Sequence, residues 1–154
     1  MYPESEYLLA VGKAYYAFAY YERIIAYAID YLGKLKDSNS CFLDGEPKPR
    51  LEGDKIAKRL RADVEALLSG PLRDRALEVH GKYDHLRKRR NYLLHAHPLT
   101  DDKGKQRLGH REELHWTLDK LSTFTAQVEA ASRVADAVSH DFKTLLKSPP
   151  PTAP

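Results

Sequence analysis

From Glu4 to about Lys36, apolar side chains return every three or four residues without a break: Tyr7, Val11, Ala14, Phe18, Tyr21, Ile25, Ala28 and Leu32. That interval follows the turn of an α-helix and fits no strand. A helix this long gains most of its stability by burying its stripe, so the rest of the chain must cover it. Tyr15, Tyr16, Tyr20, Tyr27 and Tyr31 widen the stripe and predict neighbours on more than one side. Helical spacing accounts for these tyrosines as core and interface without a base-stacking role.

The remaining periods are helical too. The run DSNSCFLDGEPKPRLEG, Asp37 to Gly53, reads as a long loop. Asp54 is placed to cap a second helix marked by Ile56, Leu60, Val64 and Leu67 and ending at Ser69-Gly70. Pro71 suits the first turn of a third, where its missing N–H costs nothing. After Pro98, the segment LTDDKGKQRLGH predicts a turn or short hairpin around Asp102 to Gly104. A fourth helix is expected from about Arg111 to Lys147, with Leu114, Leu118, Leu121, Thr125, Val128, Ala131, Val138, Phe142 and Leu145 inward. The expected fold is all-α, a bundle of four main helices with a long loop after the first and a short turn or hairpin before the last. Residues 1–147 form one expected domain, and SPPPTAP, 148–154, an expected disordered tail.

With 154 residues the chain is long enough to bury roughly 70% of its unfolded surface. No uncharged run before the tail is long enough to cross a bilayer, and the start MYPESE lacks the layout of a secretory signal. Cys41 is the only cysteine, so neither an internal disulfide nor a cysteine cage for a metal is available. The cytoplasm is the expected compartment. A net charge of +3 says little about partners until its location is known. There is no Gly-rich phosphate loop, and no cofactor is expected.

The third helix carries the anomaly. Leu72, Ala76, Val79, Tyr83, Leu86, Arg90 and Leu94 fall within about 40° of one line, so Arg90 occupies a core-type position. A guanidinium keeps its charge there only if something anionic meets it. The partner is either a carboxylate from another helix or a phosphate from outside. Asn91 and His95, four residues apart, share the edge beside Arg90, and Pro98 ends the helix near His95. Lys82, Arg87, Lys88 and Arg89 make the same helix basic, which reads either as a solvated face or as an attraction for RNA phosphates.

The stretch Arg90-Asn91, Tyr92-Leu93-Leu94, His95 resembles the Arg-polar-then-His motif of the HEPN superfamily, small all-helical proteins with Arg and His four to six residues apart. His97 also satisfies the spacing, so two histidines compete for the role. The resemblance covers the helical layout of nearly the whole chain, although the motif itself is short. It implies a metal-independent endoribonuclease acting as a homodimer, with two motif helices meeting in one cleft, and an association with toxin or phage-defence systems in which an antitoxin protein is a further partner. In some members a tyrosine stands two residues after the motif histidine, where it can be modified. Here that position is His97, so that regulation is not carried over.

The residue types suit the implied chemistry. RNA has a 2′-hydroxyl beside its phosphodiester, so a base that removes this proton starts internal attack. An imidazole, with an unperturbed pKa of about 6.5, can act as base or acid. On the resemblance, Arg90 holds the phosphate and supports charge on it, Asn91 orients, His95 moves the proton or positions the phosphate, and His97 stands in a supporting position. A metal site built from His95, His97, His110 and His115 is disfavoured, because HREELH lacks the H-E-x-x-H register and its histidines diverge on a helix. The alternative to the nuclease is a non-catalytic dimeric helical module that binds RNA, a nucleotide or a protein partner, with Arg90 paired internally.

Overall fold

The computed structural model describes residues 2–35 and 51–147. Among the described residues there are four helices: α1 (Ser5–Leu35), α2 (Gly53–Leu67), α3 (Gly70–Leu94) and α4 (Leu118–Lys147). Between α3 and α4 lie three short strands, β1 (His97–Thr100), β2 (Gln106–His110) and β3 (Glu113–Trp116). The all-α bundle is therefore the fold, with one small antiparallel sheet in the order β1-β2-β3. Most of the loop expected after α1, including Cys41, and the tail 148–154 lie outside the described residues.

Helix α1 buries the predicted stripe. Tyr7, Ala14, Phe18, Tyr21, Ile25, Ala28 and Leu32 are all buried, and α4 makes the most extensive contact with them. Glu6 in the first turn and Lys34 in the last oppose the charges of the helix dipole. From α4, Leu121, Phe124, Val128, Ala131, Ala135, Val138 and Phe142 close the core. Phe18, Tyr21 and Tyr83 form one aromatic cluster with centroids 5.5–6.1 Å apart, which ties α1 to α3. Helix α2 adds Ile56, Leu60 and Val64.

Three boundaries differ from the sequence reading. Asp54 does not cap α2: Glu52 holds the cap position in extended backbone, and Asp54 sits inside the first turn, where its charge still complements the dipole. The stripe of α3 ends on Leu93, which is buried, while Leu94 is 45% exposed. A 3.6-residue period drifts over six turns, so the last core position falls one residue early.

The larger correction is at residues 111–116, which do not start the fourth helix. Arg111 and Glu112 form a turn, and Glu113–Trp116 pairs with β2 through Leu108↔Trp116 and an irregularity near His110. Thr117 is what starts α4: its hydroxyl accepts the Lys120 N–H at 3.1 Å, and its carbonyl accepts the Leu121 N–H at 2.9 Å. His110 and His115 thus lie in strands, and the expectation of their divergence along a helix does not apply. The predicted turn is present: the Asp101 carboxylate accepts the N–H groups of Lys103 and Lys105, and Gly104 supplies the φ of 76°.

Tyr7 anchors the sheet to the bundle. Its hydroxyl donates to the Trp116 carbonyl at 2.6 Å and accepts the Leu108 N–H at 2.9 Å. Burial pushes the phenol above its ordinary pKa, which keeps the donated proton in place. The Arg107 guanidinium covers the ring, 4.7 Å from its centroid.

Candidate functional site at the end of helix α3

Helix α3 begins with Gly70 and Pro71 after Ser69 in extended backbone. Its end is set by His95, whose backbone leaves helical geometry (φ −98°, ψ 12°) while its N–H still reaches the Asn91 carbonyl at 3.0 Å. His95 is exposed, Asn91 is half-buried one turn earlier, and Arg90 lies just before it. The imidazole therefore stands at a rim, as Pro98 in β1 demands.

Arg90 turns inward toward α1. Its guanidinium carbon lies 4.6 Å from the centre of the Phe18 ring, and Nη2 lies 3.6 Å from Glu22 Oε2. The two side chains are 21% and 17% exposed. The same Glu22 oxygen accepts the Tyr83 hydroxyl at 2.7 Å. Burial, then the charge of Glu22, raises the Tyr83 pKa, so the phenol stays a donor. Arg90 Nε is buried without a hydrogen-bond partner among the described residues. At 3.6 Å the ion pair is longer than a direct hydrogen bond, so Glu22 offsets the charge without the bidentate fork that fixes an arginine. Gly53, at the start of α2, leaves this space: a Cβ there would stand 3.2 Å from Arg90 Nη2 and 3.6 Å from Glu22 Oε2.

The sequence reading raised the possibility of a carboxylate from another helix without finding which one. The signal was the charge in YYERII: Glu22 sits four residues after Phe18, on the edge of the apolar stripe. Spacing places Tyr83 in the core and carries no sign of its bond to Glu22.

The other basic residues separate into different roles. Arg89 points the opposite way from Arg90: it donates to Glu113 and Gln127, each at 3.2 Å, and lies over Trp116 and Phe124 at 5.2 and 5.4 Å. Arg87 and Lys88 both meet Asp84, at 2.7 and 3.1 Å. Burial works to raise the Asp84 pKa, but the hydrogen bonds from Lys88 and Arg87 outweigh it and leave the carboxyl below its ordinary value. Lys82 is exposed. Among the described residues, four of the five cations on this stretch have a carboxylate within 4 Å.

The sheet lies beside this end. His110 of β2 stacks on Tyr92 with centroids 5.1 Å apart, and its Nδ1 accepts the Glu112 N–H at 3.1 Å. His97 opens β1, pairs with Gly109 and is exposed. Among the described residues, no three His, Cys, Asp or Glu side chains gather as metal ligands. None of the described helices is long and apolar enough to cross a membrane. No protein family, curated protein or solved structure matches the chain.

A helical bundle is defined by this architecture, and the chemistry at its α3 end is a partly open arginine, an amide and an exposed imidazole.

Proposed function

We propose that the chain is a metal-independent endoribonuclease of HEPN type, with Arg90, Asn91 and His95 as the working residues. The observation that carries this reading is the state of Arg90. It is held on the Phe18 ring, opposed by Glu22 only at 3.6 Å, and remains 21% exposed two residues in front of the last turn that ends at His95. A phosphate that offers two oxygens to the guanidinium competes well with such a long ion pair. His95 removes the 2′-hydroxyl proton, the 2′-oxygen attacks phosphorus, and the bond to the 5′-oxygen breaks, leaving a 2′,3′-cyclic phosphate and a 5′-hydroxyl that takes up a proton. Asn91 holds a phosphate oxygen or the imidazole. Lys82 and Lys88, both exposed, are the cations that reach a flanking RNA backbone.

Glu22 also supports a second reading, a non-catalytic helical module in which Arg90 is a structural cation. Incubating the full chain with RNA and with DNA of matched sequence, in excess EDTA, decides between them. The nuclease cuts only the RNA, because only RNA supplies the 2′-hydroxyl, and loses that activity in Arg90→Ala and in His95→Ala while circular dichroism stays helical. Unchanged cutting by His95→Ala would falsify the assignment, and intact RNA with the wild-type chain favours the structural reading.

A further inference from the structure

His110 takes no part in the cleavage step derived above, yet its ring is held in one orientation against α3. Tyr92 covers one face of it, with the two rings inclined by 26° and their centroids 5.1 Å apart. Its Nδ1 accepts the Glu112 N–H at 3.1 Å, so the neutral ring carries its proton on Nε2. The irregularity in strand pairing between Leu108 and His110 is of the kind that re-aims a side chain. Tyr92 packs against the core, which makes His110, itself part exposed, the outer ring of the pair.

The turn of α3 fixes where this pair stands relative to the cleavage residues. Counting about 100° per residue from Arg90, Asn91 lies at about 100°, His95 at about 140° and Tyr92 at about 200°. The count holds as far as His95, whose N–H still bonds the Asn91 carbonyl. His95 therefore stands between the Arg90–Asn91 edge and the ring pair, and it neighbours Tyr92, three residues before it, on the helix surface. In RNA the base hangs from the sugar carbon next to the one that bears the 2′-hydroxyl. A nucleotide whose phosphate meets Arg90 and Asn91 and whose 2′-hydroxyl meets His95 thus has its base on the far side of His95, where the two rings are. Lys88, one turn before Tyr92, and Arg111, next to His110, are both exposed and bring positive charge to the flanks. Each also meets a carboxylate, Asp84 and Glu112 respectively.

We propose that the Tyr92–His110 pair is a nucleobase subsite, in which the base of the nucleotide carrying the attacking 2′-hydroxyl stacks on the face of His110 turned away from Tyr92. Single-stranded RNA is bound by splaying its bases onto rings in this way. Every base has a π-face, so the subsite selects unpaired RNA rather than one sequence. The Nε2–H lies in the ring plane and donates to a ribose or phosphate oxygen of the strand. The proposal rests on the ribonuclease reading for the approach of RNA to this end of α3, and it uses none of the residues assigned to cleavage.

Two variants separate the stack from the turn that holds it. His110→Asn keeps an acceptor for the Glu112 N–H and removes the ring face, whereas His110→Phe keeps a ring face and removes the acceptor. Binding is read by fluorescence anisotropy with two short labelled strands of equal phosphate count, 2′-fluoro oligo(A) and an abasic strand, neither of which has a 2′-hydroxyl to attack. The wild type and His110→Phe are expected to bind oligo(A) about tenfold more tightly than the abasic strand, the effect of one stacked base. His110→Asn is expected to bind both strands alike, at the wild type's affinity for the abasic one. A wild type without preference, a preference kept in His110→Asn or lost in His110→Phe, or equal weakening of both strands in His110→Asn overturns the proposal. Cutting of RNA in EDTA is scored separately. A base preference without cutting removes the catalytic roles and leaves the subsite, and cutting without a base preference does the reverse.

Discussion

Replacing Arg89 by Ala should destabilise the protein far more than its place in a basic run suggests. The guanidinium bonds Glu113 in a pair only 19% and 16% exposed, a charge-assisted contact that contributes about 2 kcal/mol. Its position over Trp116 and Phe124 adds about 1–2 kcal/mol, and the methylene stem packed there contributes about 2 more. The rotamer freedom that Arg gives up on folding offsets roughly 2 kcal/mol. Lys120, 3.7 Å from Glu113, also softens the loss by remaining as a counter-charge. The net cost is about 3 kcal/mol, which for a chain of this length lowers the melting temperature by about 6–12 °C. Arg89→Lys keeps a charge near Glu113 but loses the planar stack and the fork, and should recover less than half. Thermal and urea unfolding followed by circular dichroism measure both. At a temperature where Arg89→Ala is still folded, its RNA cleavage per molecule should match wild type. A melting point within about 3 °C of wild type, or cleavage lost in the folded variant, refutes the structural role of Arg89.

Tyr7→Phe strands the Trp116 carbonyl and the Leu108 N–H together, so urea unfolding should show a loss of about 2–3 kcal/mol; a loss below 1 kcal/mol means that the sheet does not hang on this hydroxyl. Glu22→Gln keeps an acceptor for Tyr83 but removes the counter-charge of Arg90, at a cost of about 1 kcal/mol. In a double-mutant cycle with Arg90→Met the coupling should be about 0.5–1 kcal/mol, and strict additivity would show that the 3.6 Å pair carries no energy. On the ribonuclease reading, Glu22→Gln keeps cutting RNA, because the arginine is freed rather than lost. Burial holds the His80 imidazole below its ordinary pKa, with nearby Asp84 opposing. Between the folded and unfolded pKa values the unfolded chain binds the extra proton, so stability falls as pH drops below about 6.5. Melting curves across pH 5–8 should show this slope and show it reduced in His80→Gln; an unchanged slope removes His80 as its source.

The fold was legible where one period dominates. The stripe of α1 and the inward positions of α4 from Leu121 onward follow directly from spacing, although past Ile24 the cover of α1 widens to consecutive residues, Ile24 to Ala26. Spacing failed between Arg111 and Trp116, where short-range signals pointed both ways. A run such as REELHW can follow a helical period, and only Thr117 with Asp119 behind it announces that the helix starts later. The candidate site was legible in part for a similar reason. An arginine on an apolar line is visible in one sequence, but its counter-ion is 68 positions away on α1, and no local pattern links Glu22 to Arg90.

The neighbouring arginines show why a basic run is a poor unit of reasoning. One helical step turns the side chain by about 100°, and α3 has structure on both sides: α1 and the start of α2 on one, β3 and α4 on the other. Arg89 therefore reaches the sheet and Arg90 reaches α1. Arg89 meets two acceptors at 3.2 Å and two ring faces, so an incoming phosphate would have to break a finished network. Among the described residues, Arg90 has a single carboxylate at 3.6 Å, already committed to Tyr83, and a buried Nε without a hydrogen-bond partner. An anion gains more at the second position than at the first, because less must be given up there. It follows that affinity for phosphate should track residue 90 and thermal stability residue 89, even though the two share a charge, a helix turn and a peptide bond.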